Sequence, residues 1–168
     1  MKRLNIILLI LLIVFTTGFD NISLANNKIL DISGSWQINL DLQVQENGLM
    51  SEISRLESLP FNLIIQQDET MINILPEYYL KGGLRGKGYV EGNLIYFTGS
   101  SFEETFFTER KVSTKIFNLV LECSGFISPE EDYITGQVRG TIIVVKSRGN
   151  VPCTIKDGTF TMLKVRVD

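Results

Sequence analysis

Carboxylates are the first candidates for chemistry in this sequence, because the 168-residue chain contains no histidine. Histidine is the commonest general base and the usual partner of a nucleophilic serine or cysteine. Acidic residues occur in two runs, Glu103-Glu104 and Glu130-Glu131-Asp132. Glycoside hydrolysis needs two carboxyl groups facing each other across a cleft, whereas adjacent residues on a strand point in opposite directions. We therefore predict solvated acidic turns and a protein that is not an enzyme.

The sequence also offers few residues that could bind a metal ion or a cofactor. Cys123 and Cys153 are the two cysteines, and without histidine they are too few for a zinc or copper site. A calcium site at Glu130 to Asp132 would use carboxylate oxygens, but the Asp-x-Asp-x-Asp-Gly spacing is absent. We predict no metal and no cofactor.

The two cysteines suit a structural role. In an exported protein an isolated pair most simply forms one disulfide, so we predict a Cys123–Cys153 bond. It would close a loop of about 30 residues and stabilise the fold by roughly 3–4 kcal/mol. Two buried free thiols are the alternative.

Aromatic side chains are the better candidates for binding. A set of five lies outside the most regular strand patterns, where loops at the mouth of a barrel would lie: Tyr78, Tyr79, Phe102, Phe106 and Phe107. Ligand pockets are concave and mostly apolar. This set is therefore predicted to line a site for a small apolar ligand, with core filling as the alternative.

The N-terminus is predicted to be a signal peptide spanning residues 1–25. Lys2 and Arg3 precede an apolar run at residues 6–15, and Ser23-Leu24-Ala25 has small residues where a cleavage site needs them. The run is shorter than the roughly 20 residues that cross a bilayer. We expect cleavage after Ala25, export to the periplasm or the medium, and no integral membrane segment afterwards; an uncleaved signal anchor is the alternative.

The rest of the chain, 26–168, is predicted to be one domain and a monomer. Its length suits a single core, and no linker or repeat divides it. The net charge of the whole 168-residue chain is −3, and residues 26–168 contain no basic run. Nucleic acid and anionic membranes attract clustered Lys and Arg, so neither is an expected partner.

Strand patterns dominate that domain. Residues 34–44 alternate strictly, with Gly34, Trp36 and the apolar residues that follow on one face. Residues 49–58 have apolar side chains every third position and are predicted to form a turn or two of helix. Elsewhere short turns, such as Gly92-Asn93, separate about eight to ten strands. An all-β antiparallel up-and-down barrel is predicted, with a β-sandwich as the alternative.

Gly34-Ser35-Trp36, at the start of the first long strand, resembles the Gly-x-Trp motif of the lipocalins. In that family the tryptophan plugs the closed end of an eight-stranded barrel, a basic residue near the last strand packs on it, and the open end admits a small apolar ligand. The resemblance implies that Gly34 and Trp36 are structural and that Arg166, or else Lys164, covers the indole. A second lipocalin signature, Thr-Asp-Tyr, is matched at two of three positions by Glu131-Asp132-Tyr133.

Two functions follow from these patterns. The first is an exported, non-enzymatic barrel that binds a small hydrophobic or amphipathic ligand in its interior. The second is a periplasmic or secreted protein-interaction module, such as an inhibitor or an envelope component, with a filled barrel. A filled interior and an exposed apolar patch would favour the second.

Overall fold

The computed structural model describes residues 29–47, 53–77 and 83–165, and this part of the chain consists of antiparallel strands without a helix. The all-β prediction is confirmed. The nine described strands are β1 (Gly34–Glu46), β2 (Ile53–Ser58), β3 (Phe61–Asp68), β4 (Met71–Pro76), β5 (Arg85–Glu91), β6 (Leu94–Thr108), β7 (Ser113–Ile127), β8 (Tyr133–Lys146) and β9 (Gly149–Lys164).

The strands form one sheet that closes on itself. β1 pairs with β9 from Trp36 opposite Lys164 to Glu46 opposite Cys153. On its other edge β1 pairs with β3 in its first half and with β2 in its second half. From β3 to β9 each strand pairs with the next. Every described strand therefore has a partner on both sides, and the ring is barrel-like, as predicted.

The two ends of the ring differ in circumference. At the end that contains Trp36, the ring runs through eight strands, β1 and β3 to β9. At the opposite end β2 pairs with β6, with Leu56 opposite Thr108, and this pairing bypasses β3, β4 and β5. Six strands remain in the ring there. These are called the wide end and the narrow end.

The inward side chains form one apolar cluster. The inward face predicted for β1 is confirmed, because five of its alternate side chains are at most 3% exposed: Trp36, Ile38, Leu40, Leu42 and Val44. Inward residues from the other strands complete the cluster, among them Phe97, Phe106 and Phe160. Burying this surface at about 25 cal/mol per Å² is the main force that closes the sheet.

Two inward glycines of β5 let the backbone approach β6 closely. A Cβ atom at Gly88 would lie 2.0 Å from the carbonyl oxygen of Tyr96, and one at Gly86 would lie 2.1 Å from that of Thr98. Any side chain at these positions would push the strands apart. Glycine at these two positions therefore allows the close approach of the two backbones.

The helix predicted within residues 49–58 is wrong for 53–58, which form β2. Residues 49–52 lie outside the described residues. Leu56 of β2 is buried, but Leu59 is 56% exposed, so the three-residue apolar spacing does not define one buried face. The second half of β1 needs a hydrogen-bonding partner, and β2 supplies it. No helix that could cross a membrane occurs among the described residues.

Candidate functional site

Trp36 plugs the wide end of the ring. Its side chain is fully buried, and the indole Nε1 donates a hydrogen bond of 2.8 Å to the carbonyl oxygen of Ile32, which is itself buried. The segment before β1 therefore folds back over the indole. These contacts suit the structural role expected for Trp36.

A basic side chain covers the tryptophan. The Nζ atom of Lys164 lies 5.6 Å from the centre of the Trp36 ring, within range of a cation–π interaction. The lipocalin resemblance implies that Arg166, or else Lys164, covers the indole, and Lys164 does so. Arg166 lies outside the described residues. Nearby, hydrogen bonds from Ser33 lower the pKa of Asp31, and the charge of Lys164 adds to this effect.

The predicted disulfide between Cys123 and Cys153 is wrong, because both cysteines are free and buried. On β8, Cys123 lies opposite Val138 and Cys153 lies opposite Ile142. Four residues along a strand correspond to about 13 Å. A disulfide needs Cα atoms within about 7 Å, so the register keeps the thiols apart. Burial raises the pKa of both thiols, which disfavours the reactive thiolate.

Neither predicted acidic run forms a facing pair of carboxylates. Glu103 forms an ion pair of 3.3 Å with Lys115. Glu104 turns to Ser101 and accepts hydrogen bonds from its hydroxyl and from the amide of Gly83. The two carboxylates, both on β6, therefore serve different local contacts, and the solvated turn predicted for this run is wrong.

The second acidic run lies in the turn between β7 and β8. Ser128 Oγ donates to Asp132 Oδ1 at 3.0 Å and accepts the amide hydrogens of Asp132 and Tyr133. No group of three or more acidic or cysteine side chains among the described residues is arranged to hold a metal ion. The run forms a turn, as expected.

Two carboxylates that the sequence did not single out do face each other. Asp41 of β1 lies opposite Glu57 of β2, and Arg55 contacts both, at 2.5 Å and 3.3 Å. Hydrogen bonding to Asp41 raises the pKa of Arg55 further. The arginine between them makes this an exposed ion-pair cluster, a type that contributes little to stability.

The predicted aromatic set does not converge on one site. Phe102, Phe106 and Phe107 all belong to β6 and not to loops. Phe102 is 73% exposed and packs against Phe117 on the outer surface, with ring centres 5.8 Å apart. Phe106 is fully buried in the core, and Phe107 is half-buried. Tyr78 and Tyr79 lie outside the described residues.

A different group of side chains lines a groove on the outer face of the sheet. The groove has a volume of about 520 Å³ and crosses β5, β6, β7 and β8. Two rows of cross-strand neighbours form it. One row is Lys87, Thr98, Glu122 and Arg139; the adjacent row is Tyr89, Tyr96, Ser124 and Gln137. We call this surface the outer groove.

The short side chains of Thr98 and Ser124 lie in the middle of these rows, between longer ones. On one side Tyr89 and Tyr96 stack, with ring centres 5.0 Å apart and an angle of 23° between the planes. On the other side stand the long side chains from β7 and β8, Glu122, Gln137 and Arg139. The difference in side-chain length gives the groove its floor and walls.

A second depression, of about 480 Å³, adjoins the outer groove. The two share Lys87 and Thr98, and the second continues to Ser100 and Val120. From Tyr96 to Ser100 along β6 is about 13 Å. The combined surface is therefore longer than a single ring-sized ligand.

A smaller cavity opens at the narrow end, on the inside of the ring. Its volume is about 130 Å³, and its inner lining includes Val44, Leu56, Val144 and Cys153. An ion pair between Lys146 and Glu46 lies at its mouth. This cavity is at the end opposite Trp36, where the lipocalin resemblance implies the opening.

Comparisons with known proteins assign no family: no protein-family model matches this chain, and no curated protein sequence matches it. The lipocalin resemblance rests on the residues quoted for it and stays a prediction.

The residues of the outer groove were not recognised in the sequence. Each occupies an outward, alternate position on its strand, and such positions are visible in the sequence. The cross-strand register, which places Tyr89 opposite Tyr96 and Glu122 opposite Arg139, cannot be read from the sequence. The sequence therefore indicates which side chains face outward, but not which of them lie together in the groove.

Proposed function

We propose that this protein is an exported, non-enzymatic binding module that recognises its partner through the outer groove, while the interior of the ring serves as a packed core. The observation that carries this proposal is the contrast in volume. The outer groove holds about 520 Å³ and the cavity inside the narrow end about 130 Å³, a fourfold difference. Of the two functions that the sequence leaves open, this contrast supports the filled barrel of the second over the hollow, ligand-carrying barrel of the first.

The size of each space supports this choice. Sites for small molecules usually have volumes of about 300–1,000 Å³, a range that contains the outer groove. The groove also combines stacked aromatic rings with charged and amide side chains, the mixture that gives a site both contact area and specificity. Export rests on the N-terminal sequence, and the absence of an enzymatic role on the lack of histidine.

The narrow-end cavity favours a second candidate, the interior ligand carrier. An apolar cavity of about 150 Å³ can bind benzene. The cavity of about 130 Å³ beside Val44, Leu56 and Val144 would accept a ligand of that size at most without rearrangement. It is too small for a fatty acid or a sterol.

The two candidates can be separated by blocking each space in turn. Anilinonaphthalene sulfonate, a fluorescent aromatic anion, is titrated into the purified protein and into two variants. Ser124→Trp fills the outer groove from its floor, and Val144→Phe fills the narrow-end cavity. Circular dichroism checks that each variant is folded; Val144→Leu replaces Val144→Phe if the larger side chain prevents folding.

We expect saturable binding of the dye that Ser124→Trp weakens at least tenfold and the cavity-filling variant leaves within twofold. The reverse pattern would overturn the outer-groove proposal in favour of the interior carrier. The absence of saturable binding to the wild-type protein would count against both.

A further inference from the structure

We infer that the outer groove binds a carbohydrate chain, with one sugar ring packed on the tyrosine pair. This inference rests on the proposed function and specifies the chemical class of the partner. It is carried by the stacked pair Tyr89–Tyr96, by the polar side chains across the groove from it, and by the continuation of the groove into the adjoining depression.

The tyrosine pair supplies the stacking surface. Tyr89 and Tyr96 lie opposite each other on β5 and β6, and Tyr89 remains 43% exposed. An aromatic face carries partial negative charge, so it attracts the C–H groups on one side of a pyranose ring. Mutual stacking holds the two rings in place before a ligand arrives, which lowers the entropy cost of binding.

The opposite wall, on β7 and β8, and Lys87 beside Tyr89 on β5 together supply hydrogen-bonding groups of both kinds. Lys87 and Arg139 donate, Glu122 accepts, and Gln137 does both. None of these four side chains forms a hydrogen bond or an ion pair with another described residue. A sugar hydroxyl both donates and accepts, so a ring lying on Thr98 and Ser124 can use this mixed set.

The same geometry disfavours other partners. An extended peptide usually adds to a free sheet edge, but every described strand is paired on both sides. A lipid chain needs a closed apolar slot, whereas this groove is open to solvent and has charged and amide side chains along one wall. A nucleic acid would bring its phosphates toward Glu122 in a protein of net charge −3.

The length of the surface points to an oligomer. The outer groove and its neighbouring depression are continuous through Lys87 and Thr98, and the path from Tyr96 to Ser100 is about 13 Å. A single monosaccharide would leave the second depression empty. A short chain of sugar units would occupy both.

The test is calorimetric titration of the purified protein with three soluble hexamers: cellohexaose, the hexamer of N-acetylglucosamine and the hexamer of galacturonic acid. The first two are neutral, and the third is acidic. Tyr89→Ala and Tyr96→Ala remove the stacking surface. Tyr133→Ala is the matched control, because Tyr133 is also an outward tyrosine, 37% exposed, but lies outside the groove.

We expect at least one hexamer to bind saturably, each groove variant to weaken its affinity tenfold or more, and Tyr133→Ala to change it less than twofold. If the acidic hexamer alone binds, Lys87→Gln and Arg139→Gln should each also weaken its affinity, which would identify the ligand as an acidic glycan.

Two results would overturn the inference. One is failure of all three hexamers at millimolar concentration while anilinonaphthalene sulfonate still binds the groove; the carbohydrate assignment then falls, but the groove stands. The other is Tyr89-dependent binding of a single-stranded oligonucleotide of ten thymidines in place of the hexamers. Failure of both the dye and the hexamers would remove the proposed function as well.

Discussion

Replacing Trp36 by Phe tests the plug at the wide end. The substitution removes the indole N–H, so the buried carbonyl of Ile32 loses its partner, at a cost of about 1–3 kcal/mol. It also removes roughly three buried heavy atoms, at about 0.8 kcal/mol for each group of methylene size. The expected loss in the free energy of unfolding is therefore about 3–5 kcal/mol, a large part of the stability of a domain of this size.

The assay is urea unfolding followed by far-UV circular dichroism at 25 °C, because Trp36 is the only tryptophan and fluorescence is lost with it. Thermal unfolding should shift down by about 10–17 °C. Lys164→Met is the matched control. It keeps an apolar stem over the ring and removes only the cation, so it should cost about 0.5–1 kcal/mol.

The reasoning fails if Trp36→Phe costs less than about 1 kcal/mol with an unchanged dependence on urea. It also fails if Lys164→Met costs as much as Trp36→Phe, because the charge above the ring would then matter more than the ring itself. The double variant measures the coupling between the two side chains directly.

Three further predictions concern the thiols, the pH dependence and the aromatic set. Cys123 and Cys153 should resist a thiol reagent in the native protein and both react in denaturant without reductant, because they are free and buried; a count of zero in denaturant would restore the disulfide. The lowered pKa of Asp31 means that its charged form stabilises the fold at neutral pH, and that this contribution is lost as the pH falls from its usual value of 3.8 through the lower folded value. In urea titrations, Asp31→Asn should therefore be less stable than the wild-type protein at pH 7, by less than about 1 kcal/mol because Asp31 is exposed. Near pH 2 the two proteins should be equally stable. The same difference in stability at both pH values would contradict the assignment. Phe106→Ala should cost about 3–5 kcal/mol and Phe102→Ala less than about 0.5 kcal/mol, measured by urea unfolding, because one ring is in the core and the other is 73% exposed.

Local pattern predicted the strands well and the site poorly. The alternation from Gly34 to Val44 indicated which face of β1 is buried, because that choice depends only on the period of a strand. The Gly92-Asn93 turn likewise indicated the hairpin of β5 and β6, since the turn and its flanking strands are contiguous in sequence.

The failures arose where residues distant in sequence decide the outcome. The segment at 53–58 has helical spacing but becomes β2, because it pairs with both β1 and β6. Phe102 and Phe106 are close in sequence, yet one is exposed and the other buried. Composition alone could not separate them, since an aromatic ring suits a core as well as a pocket.

Residue periodicity and turn chemistry over a few positions were enough to predict the all-β class of the fold and the buried face of β1. The sequence also excludes any catalytic or metal-binding role that needs a histidine of this chain. Three features arise only when the chain folds: the sheet of the described residues closes with eight strands at one end and six at the other, Cys123 and Cys153 lie too far apart to bond, and Tyr89 meets Tyr96 across the groove from a polar wall. Each of these depends on strand register, and register is set by the simultaneous packing of all the inward side chains.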